Sequence, residues 1–122
     1  MDKNEIPWIM QNRRRFDRKA VDLSACIGDP RWQRSDFEVI TVLDISIGGI
    51  RFTVPKSAKL KIQKDNDTDK FVIIFRLPNH CWPIKVQISP QWMLEFAEDA
   101  QIGATIEKPD YYAYTALQKY LM

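Results

Sequence analysis

Between residues 20 and 107 the chain alternates short runs rich in β-branched and apolar residues with clusters of Gly, Pro, Asn and Asp, and no helical period takes hold there. The apolar runs are AVDLSACI (20–27), FEVITVLDI (37–45), GIRFTV (49–54), FVIIFRL (71–77), IKVQISPQWMLEF (84–96) and QIGATIE (101–107). Between them fall GDPRWQRSD, SIGG, KDNDTDK, LPNHCWP and AEDA, whose residues supply turn conformations and discourage continued strand pairing. A period of roughly 8 to 12 residues favours a barrel or sandwich over alternating βα units. The pattern therefore predicts a mainly β chain of about six strands, closed as a barrel or stacked as a sandwich.

Pro90 interrupts the fifth run and removes a ladder donor, so one strand that bends, bulges or borders an edge is expected there. KDNDTDK at 64–70 lacks the glycine and terminal glutamate of a calcium loop and reads as a solvated hairpin tip. After it the period changes only once. In KPDYYAYTALQKYLM, Asp110 can cap a helix start, and Tyr111, Tyr114, Leu117 or Gln118, and Leu121 recur at helical spacing. This stripe is expected to pack on the β unit.

At 122 residues, with 45% hydrophobic and 28% charged side chains, the chain suits one compact domain. The net charge of +2 is too small for a general nucleic-acid binder, so no nucleic-acid polymer is expected as a partner. Its distribution says more. Residues 1–19 carry six basic side chains (Lys3, Arg13, Arg14, Arg15, Arg18, Lys19) against three acidic ones (Asp2, Glu5, Asp17), a net of +3, and the remainder nets −1. Focused charge of this kind suits a small anionic ligand. No run approaches the roughly 18 apolar residues of a membrane helix, so no membrane insertion and a cytoplasmic location are expected. Cys26 and Cys81 lie far apart with no ligand cluster around them, and His80 sits in a turn-rich stretch, so neither a zinc site nor a disulfide is inferred. Asp44, Ser46 and His80 are the only conceivable hydrolytic set and lack a nucleophile elbow, which argues against an enzyme.

Two short motifs carry the chemistry. In QNRRRFDRKA (11–20), Arg14 and Arg18 stand four apart, a spacing that brings both side chains to one side in an extended segment or a single helical turn. Planar guanidinium groups match phosphate oxygens bidentately and stack on bases, which lysines do poorly. In VLDISIGGIRF, alternation puts Asp44 and Ser46 together, and Gly48 and Gly49 are expected to permit a tight hairpin with positive φ and approachable amides. A carboxylate can accept both N1–H and the N2 amino group of guanine, while an arginine pairs with O6 and N7.

Arg14-x-x-x-Arg18, followed 26 positions later by Asp44-x-Ser46-x-x-Gly49, resembles the paired motif of the PilZ family of cyclic di-GMP receptors. The six strand candidates, Trp92, the IGATI run at 102–106 and the final helix are similar to the PilZ β-barrel layout. The resemblance covers most of residues 11–122 and implies a six-stranded antiparallel barrel at 19–122, a flexible N-terminal arm at 1–18 and a C-terminal α-helix. It implies that Arg14 and Arg18 hold the phosphates and a guanine face, and that Asp44, Ser46 and Gly49 line the other guanine. Arg13, Arg15 and Gly48 are further candidate contacts, and an arginine at position 13 accompanies a stacked, intercalated ligand dimer in similar proteins. Cyclic di-GMP would be the ligand, with no cofactor and no metal. Ordering of the arm would signal to a protein partner in trans.

Two other readings have distinct signatures. A PilZ-like module that binds only proteins would lack the arginine pair, which is complete here. An OB-like barrel with Trp8, Trp32, Trp82 and Trp92 as stacking platforms would bind single-stranded nucleic acid with strong salt dependence, and the −1 net charge after residue 19 opposes that.

Overall fold

The structure is a computed structural model and describes residues 18–58, 70–78 and 80–122. Six strands form in chain order: β1 (Lys19–Gly28), β2 (Glu38–Ile45), β3 (Gly49–Pro55), β4 (Phe71–Phe75), β5 (Ile84–Glu95) and β6 (Asp99–Glu107). Every pairing is antiparallel, and the order β1-β2-β3-β6-β5-β4 closes on itself through β1 and β4. Among the described residues a 3-10 turn, Arg34–Asp36, lies in the β1–β2 connection, and a helix, α1 (Tyr111–Leu121), follows β6. The expected N-terminal arm, apart from Arg18, and the expected hairpin tip, apart from Lys70, lie outside the described residues.

Alternation builds the interior. Ile27, Ile40, Val42, Ile45, Phe52, Ile73, Ile84, Ile88 and Ile102 are fully buried, and burial of each such side chain contributes about 1.5 to 3 kcal/mol. Two bulges interrupt that alternation. In β2 the register shifts between Val42 and Asp44, and in β5 between Pro90 and Trp92, where the sequence anticipates a disturbed strand. Strict alternation from Val42 would point Asp44 into the barrel, and from Ile88 it would point Trp92 inward. The extra residue resets the phase, so Ile45 and Met93 turn toward the core while Asp44 and Trp92 turn outward.

Asp110 caps α1, its Oδ1 accepting the Ala113 amide at 2.7 Å. The packed stripe differs from the expected one. Ala113, Ala116 and Leu117 are buried, with Tyr120 and Leu121 partly so, whereas Tyr111 is 83% exposed and Tyr114 and Gln118 face solvent. The alanines allow the helix to approach β5, and burying tyrosines there would require partners for their hydroxyls. Tyr112 instead donates its hydroxyl to the Trp82 carbonyl at 3.0 Å. Lys19, first in β1, reaches the helix end. Its Nζ donates to the Tyr120 carbonyl at 3.3 Å and lies 4.2 Å above the Tyr120 ring.

Candidate nucleotide site on the barrel wall

Asp44, itself only 9% exposed, stands at the centre of a polar cluster on the outer wall, beneath the two arginines that cover it. Its Oδ1 accepts from Arg18 Nη1 at 3.1 Å, and its Oδ2 accepts from Arg51 Nε at 2.7 Å. The two arginines are not equivalent. Arg51 is the more covered, with 34% of its side chain exposed, and its Nη1 also donates to Gln101 Oε1 at 3.1 Å. Arg18 is 58% exposed, and an ion pair so open to water contributes about 0 to 1 kcal/mol. Arg51 therefore fixes the carboxylate, and Arg18 is the partner that an anion or a base edge can displace at small cost.

The turn beside this cluster is closed by Ser46, whose amide donates to the Gly49 carbonyl at 2.8 Å and whose hydroxyl donates to the same oxygen at 3.4 Å. The expected positive φ is not found: no described glycine has one, and the only described residue that does is Lys108 at 36°. Gly49 sits instead in a crowded place. A Cβ there would meet the Ala104 carbonyl oxygen at 3.3 Å, with Ser46 Oγ at 3.6 Å and Arg18 Nη2 at 3.9 Å. At Gly48 a Cβ would meet nothing within 4 Å, so the fold leaves that position open to a ligand.

Register continues the row across the barrel. Asp44 pairs with Arg51, Arg51 with Gly103, and Gly103 with Trp92. A Cβ on Gly103 would fall 2.2 Å from the Trp92 indole, so only glycine lets the ring lie across the outer face of β6, one strand from Arg51. A flat apolar wall thus borders the polar cluster.

Arg18, Asp44, Ser46, Gly48 and Gly49 are brought together as the motifs imply. Arg13, Arg14 and Arg15 lie outside the described residues. Arg51 and Trp92 are neighbours the motif reading did not assign. Arg51 was recoverable from the hairpin, since a turn closed at Ser46 and Gly49 sets Asp44 against residue 51. Trp92 was not, because its outward direction depends on the bulge. Among the described residues no group of His, Cys, Asp and Glu is arranged to hold a metal, and no helix is long and apolar enough to cross a membrane. His80 lies in the β4–β5 loop with Nδ1 3.2 Å from the Pro78 carbonyl, and Cys26 and Cys81 are free thiols.

Comparison with protein-family models and with curated proteins returns no match. Solved structures do match. The inhibitor of motility MotI/DgrA from Bacillus subtilis superposes with a TM-score of 0.67 at 18% identity, covering 85% of this chain and 47% of that one. MrkH from K. pneumonia in complex with c-di-GMP gives 0.63 at 15% identity, covering 89% and 50%. The PilZ domain of Escherichia coli YcgR with c-di-GMP gives 0.58 at 15% identity, covering 89% and 88%. The chain thus spans about half the length of the first two and most of the isolated YcgR domain. At these identities the likeness concerns the fold, and the fold is a PilZ-type six-stranded β-barrel.

Proposed function

We propose that this chain is a cyclic di-GMP receptor that closes residues 1–18 over the bound ligand and signals through a protein partner in trans. The observation that carries the reading is the outward carboxylate of Asp44, fixed by Arg51, capped by an exposed Arg18 and set beside the open Gly48–Gly49 turn. In the proposed complex Asp44 accepts N1–H and the N2 amino group of one guanine, with Ser46 and Gly49 lining the same base. Arg18 leaves Asp44 for a phosphate and a guanine face, joined by Arg14, with Arg13 and Arg15 adding charge. Trp92 offers a flat wall against which a purine can stack, a contact worth about 1 to 3 kcal/mol. Support from relatives is that structures of MrkH and of the YcgR PilZ domain contain c-di-GMP.

No catalytic step is assigned to these residues; the proposed role is recognition and a change of surface. Each arm residue ordered costs about 1 to 2 kcal/mol and each charge-assisted hydrogen bond returns about 1.5 to 3 kcal/mol. Moderate affinity is the expected balance. Calorimetric titration with cyclic di-GMP, beside GTP and cyclic di-AMP, is the test. Saturable heat for the cyclic diguanylate alone, lost in Arg14→Ala, Arg18→Ala and Asp44→Ala, is expected, and stoichiometry above one would assign Arg13 to a second ligand molecule. Absence of heat and of any ligand-induced shift in melting temperature overturns the receptor reading.

A further inference from the structure

Beyond Trp92, which the nucleotide reading takes as a stacking wall, β5 continues an apolar strip that this reading leaves without an occupant. Past the bulge, Trp92, Leu94 and Phe96 follow one another at alternate positions and remain 38%, 55% and 49% exposed, while Met93 between them packs on the core. The strip begins at the polar cluster. Trp92 pairs with Gly103 beside Arg51, and Leu94 pairs with Gln101, whose side chain is held by Arg51. It then runs along β5 toward Phe96, whose amide donates to the Asp99 carbonyl at 2.9 Å where the chain turns into β6.

We propose that this strip is the seat of the chain's own residues Ile6, Pro7, Trp8, Ile9 and Met10, so that the N-terminal segment closes at two points: its arginines on the ligand and its apolar run on β5. The proposal rests on the receptor reading for the first point and on the strip for the second. Its first support is reach. Arg18 directly precedes β1 and lies beside Asp44, and from β2 to β5 across β3 and β6 is about 14 Å, three strand spacings. The eight residues from Met10 to Arg18 span up to about 27 Å when extended, which covers that distance and part of the strip's length. Composition is the second support: IPWIM is an uncharged run in a segment otherwise dominated by charged and amide side chains. Size is the third. Three half-exposed side chains offer on the order of a few hundred Å², well short of the roughly 1,200 Å² of a stable interface between separate molecules. For a tethered segment, effective concentration makes up the difference.

The test uses the full-length chain and three variants, Ile9→Asp, Leu94→Asp and the two combined; Leu94 is an outward position, and melting temperature verifies the fold. Amide signals of Leu94 and Phe96 are followed by NMR with and without cyclic di-GMP, with exposed Val39 on β2 as a control. Ile9→Asp is expected to move the strip signals and leave Val39 unchanged. Each single substitution should weaken cyclic di-GMP by about fivefold and protect Arg13–Arg15 less well from trypsin, and the combined variant should be no worse than either alone. Strip signals indifferent to Ile9→Asp, or penalties that simply add, overturn the docking while leaving the receptor reading intact. Concentration-dependent shifts along the strip, with a mass that doubles by sedimentation, overturn it in favour of a second copy. If wild type gives no heat with cyclic di-GMP, the receptor reading falls, and the signals of the free protein decide the docking by the same comparison.

Discussion

Arg51 Nε lies 2.7 Å from Asp44 Oδ2 directly across the β2–β3 ladder, so the carboxylate at the heart of the site is aimed by its hairpin partner. Arg18 also reaches this carboxylate, at 3.1 Å, but from a side chain that is 58% exposed. Arg51→Ala is therefore expected to lower stability by about 1 to 2 kcal/mol, because Asp44 keeps only an exposed partner, and to weaken cyclic di-GMP by roughly tenfold. Arg18→Ala should leave stability within about 0.5 kcal/mol of wild type while weakening the ligand at least as much. Urea unfolding beside calorimetry separates the two roles; equal stability losses in both variants would refute the division.

The two glycines of the turn should also part company. Gly48→Ala meets open space, so stability is expected to stay within about 0.5 kcal/mol while ligand affinity falls. Gly49→Ala presses on the Ala104 carbonyl of β6 and should cost about 1 to 3 kcal/mol whether or not ligand is present. Thermal melts with and without cyclic di-GMP check both.

Gly103→Ala places a methyl where the Trp92 indole lies and should cost about 1 to 3 kcal/mol, with a red-shifted tryptophan emission as the ring lifts into water. Combining it with Trp92→Ala should recover most of the loss relative to Trp92→Ala alone, since the clash is then gone. A double variant as impaired as the sum of the singles would mean that the ring does not rest on Gly103.

Asp29, in the turn after β1, accepts from Arg31 Nε and from the Arg31 amide at 2.8 Å and from Arg31 Nη2 at 2.7 Å. These bonds, the side-chain ones first, lower its carboxyl from 3.8 to about 2. A depressed folded value means that the carboxylate's contribution to stability is fully present above 3.8 and fades as pH falls through about 2. Carbon-detected NMR titration should find that midpoint in wild type and a rise toward 3.8 in Arg31→Ala; an unchanged midpoint would show that Arg31 is not the cause.

The six strands were legible because each buried run is punctuated by residues that cannot continue a ladder, and their observed bounds differ from the sequence reading by a few residues at most. What alternation alone could not supply was phase past a bulge. The motif put Asp44 beside Ser46 and against the ligand, but nothing in FEVITVLDI announces that the ladder slips after Val42. Pro90 did announce trouble in β5, without saying that Trp92 would emerge on the outer face. The helix was found and its packed side misread, because tyrosine scores as apolar while its hydroxyl seeks an acceptor, as Tyr112 finds in the Trp82 carbonyl. Gly48 and Gly49 were expected to supply unusual backbone angles, whereas Gly49 yields room to the strand beneath it and Gly48 leaves room above the surface.

The ladder that closes the ring is short: β1 meets β4 only from Ala25 opposite Phe75 to Gly28 opposite Val72, at the far end of β1 from Lys19. Transient opening of the β1–β4 seam leaves Asp44, Arg51 and the first residues of β1 on ladders that do not depend on it, those of β1 with β2 and β2 with β3. Opening of that seam exposes the amide protons that bond across it without breaking the ladders that hold the face carrying the arginines.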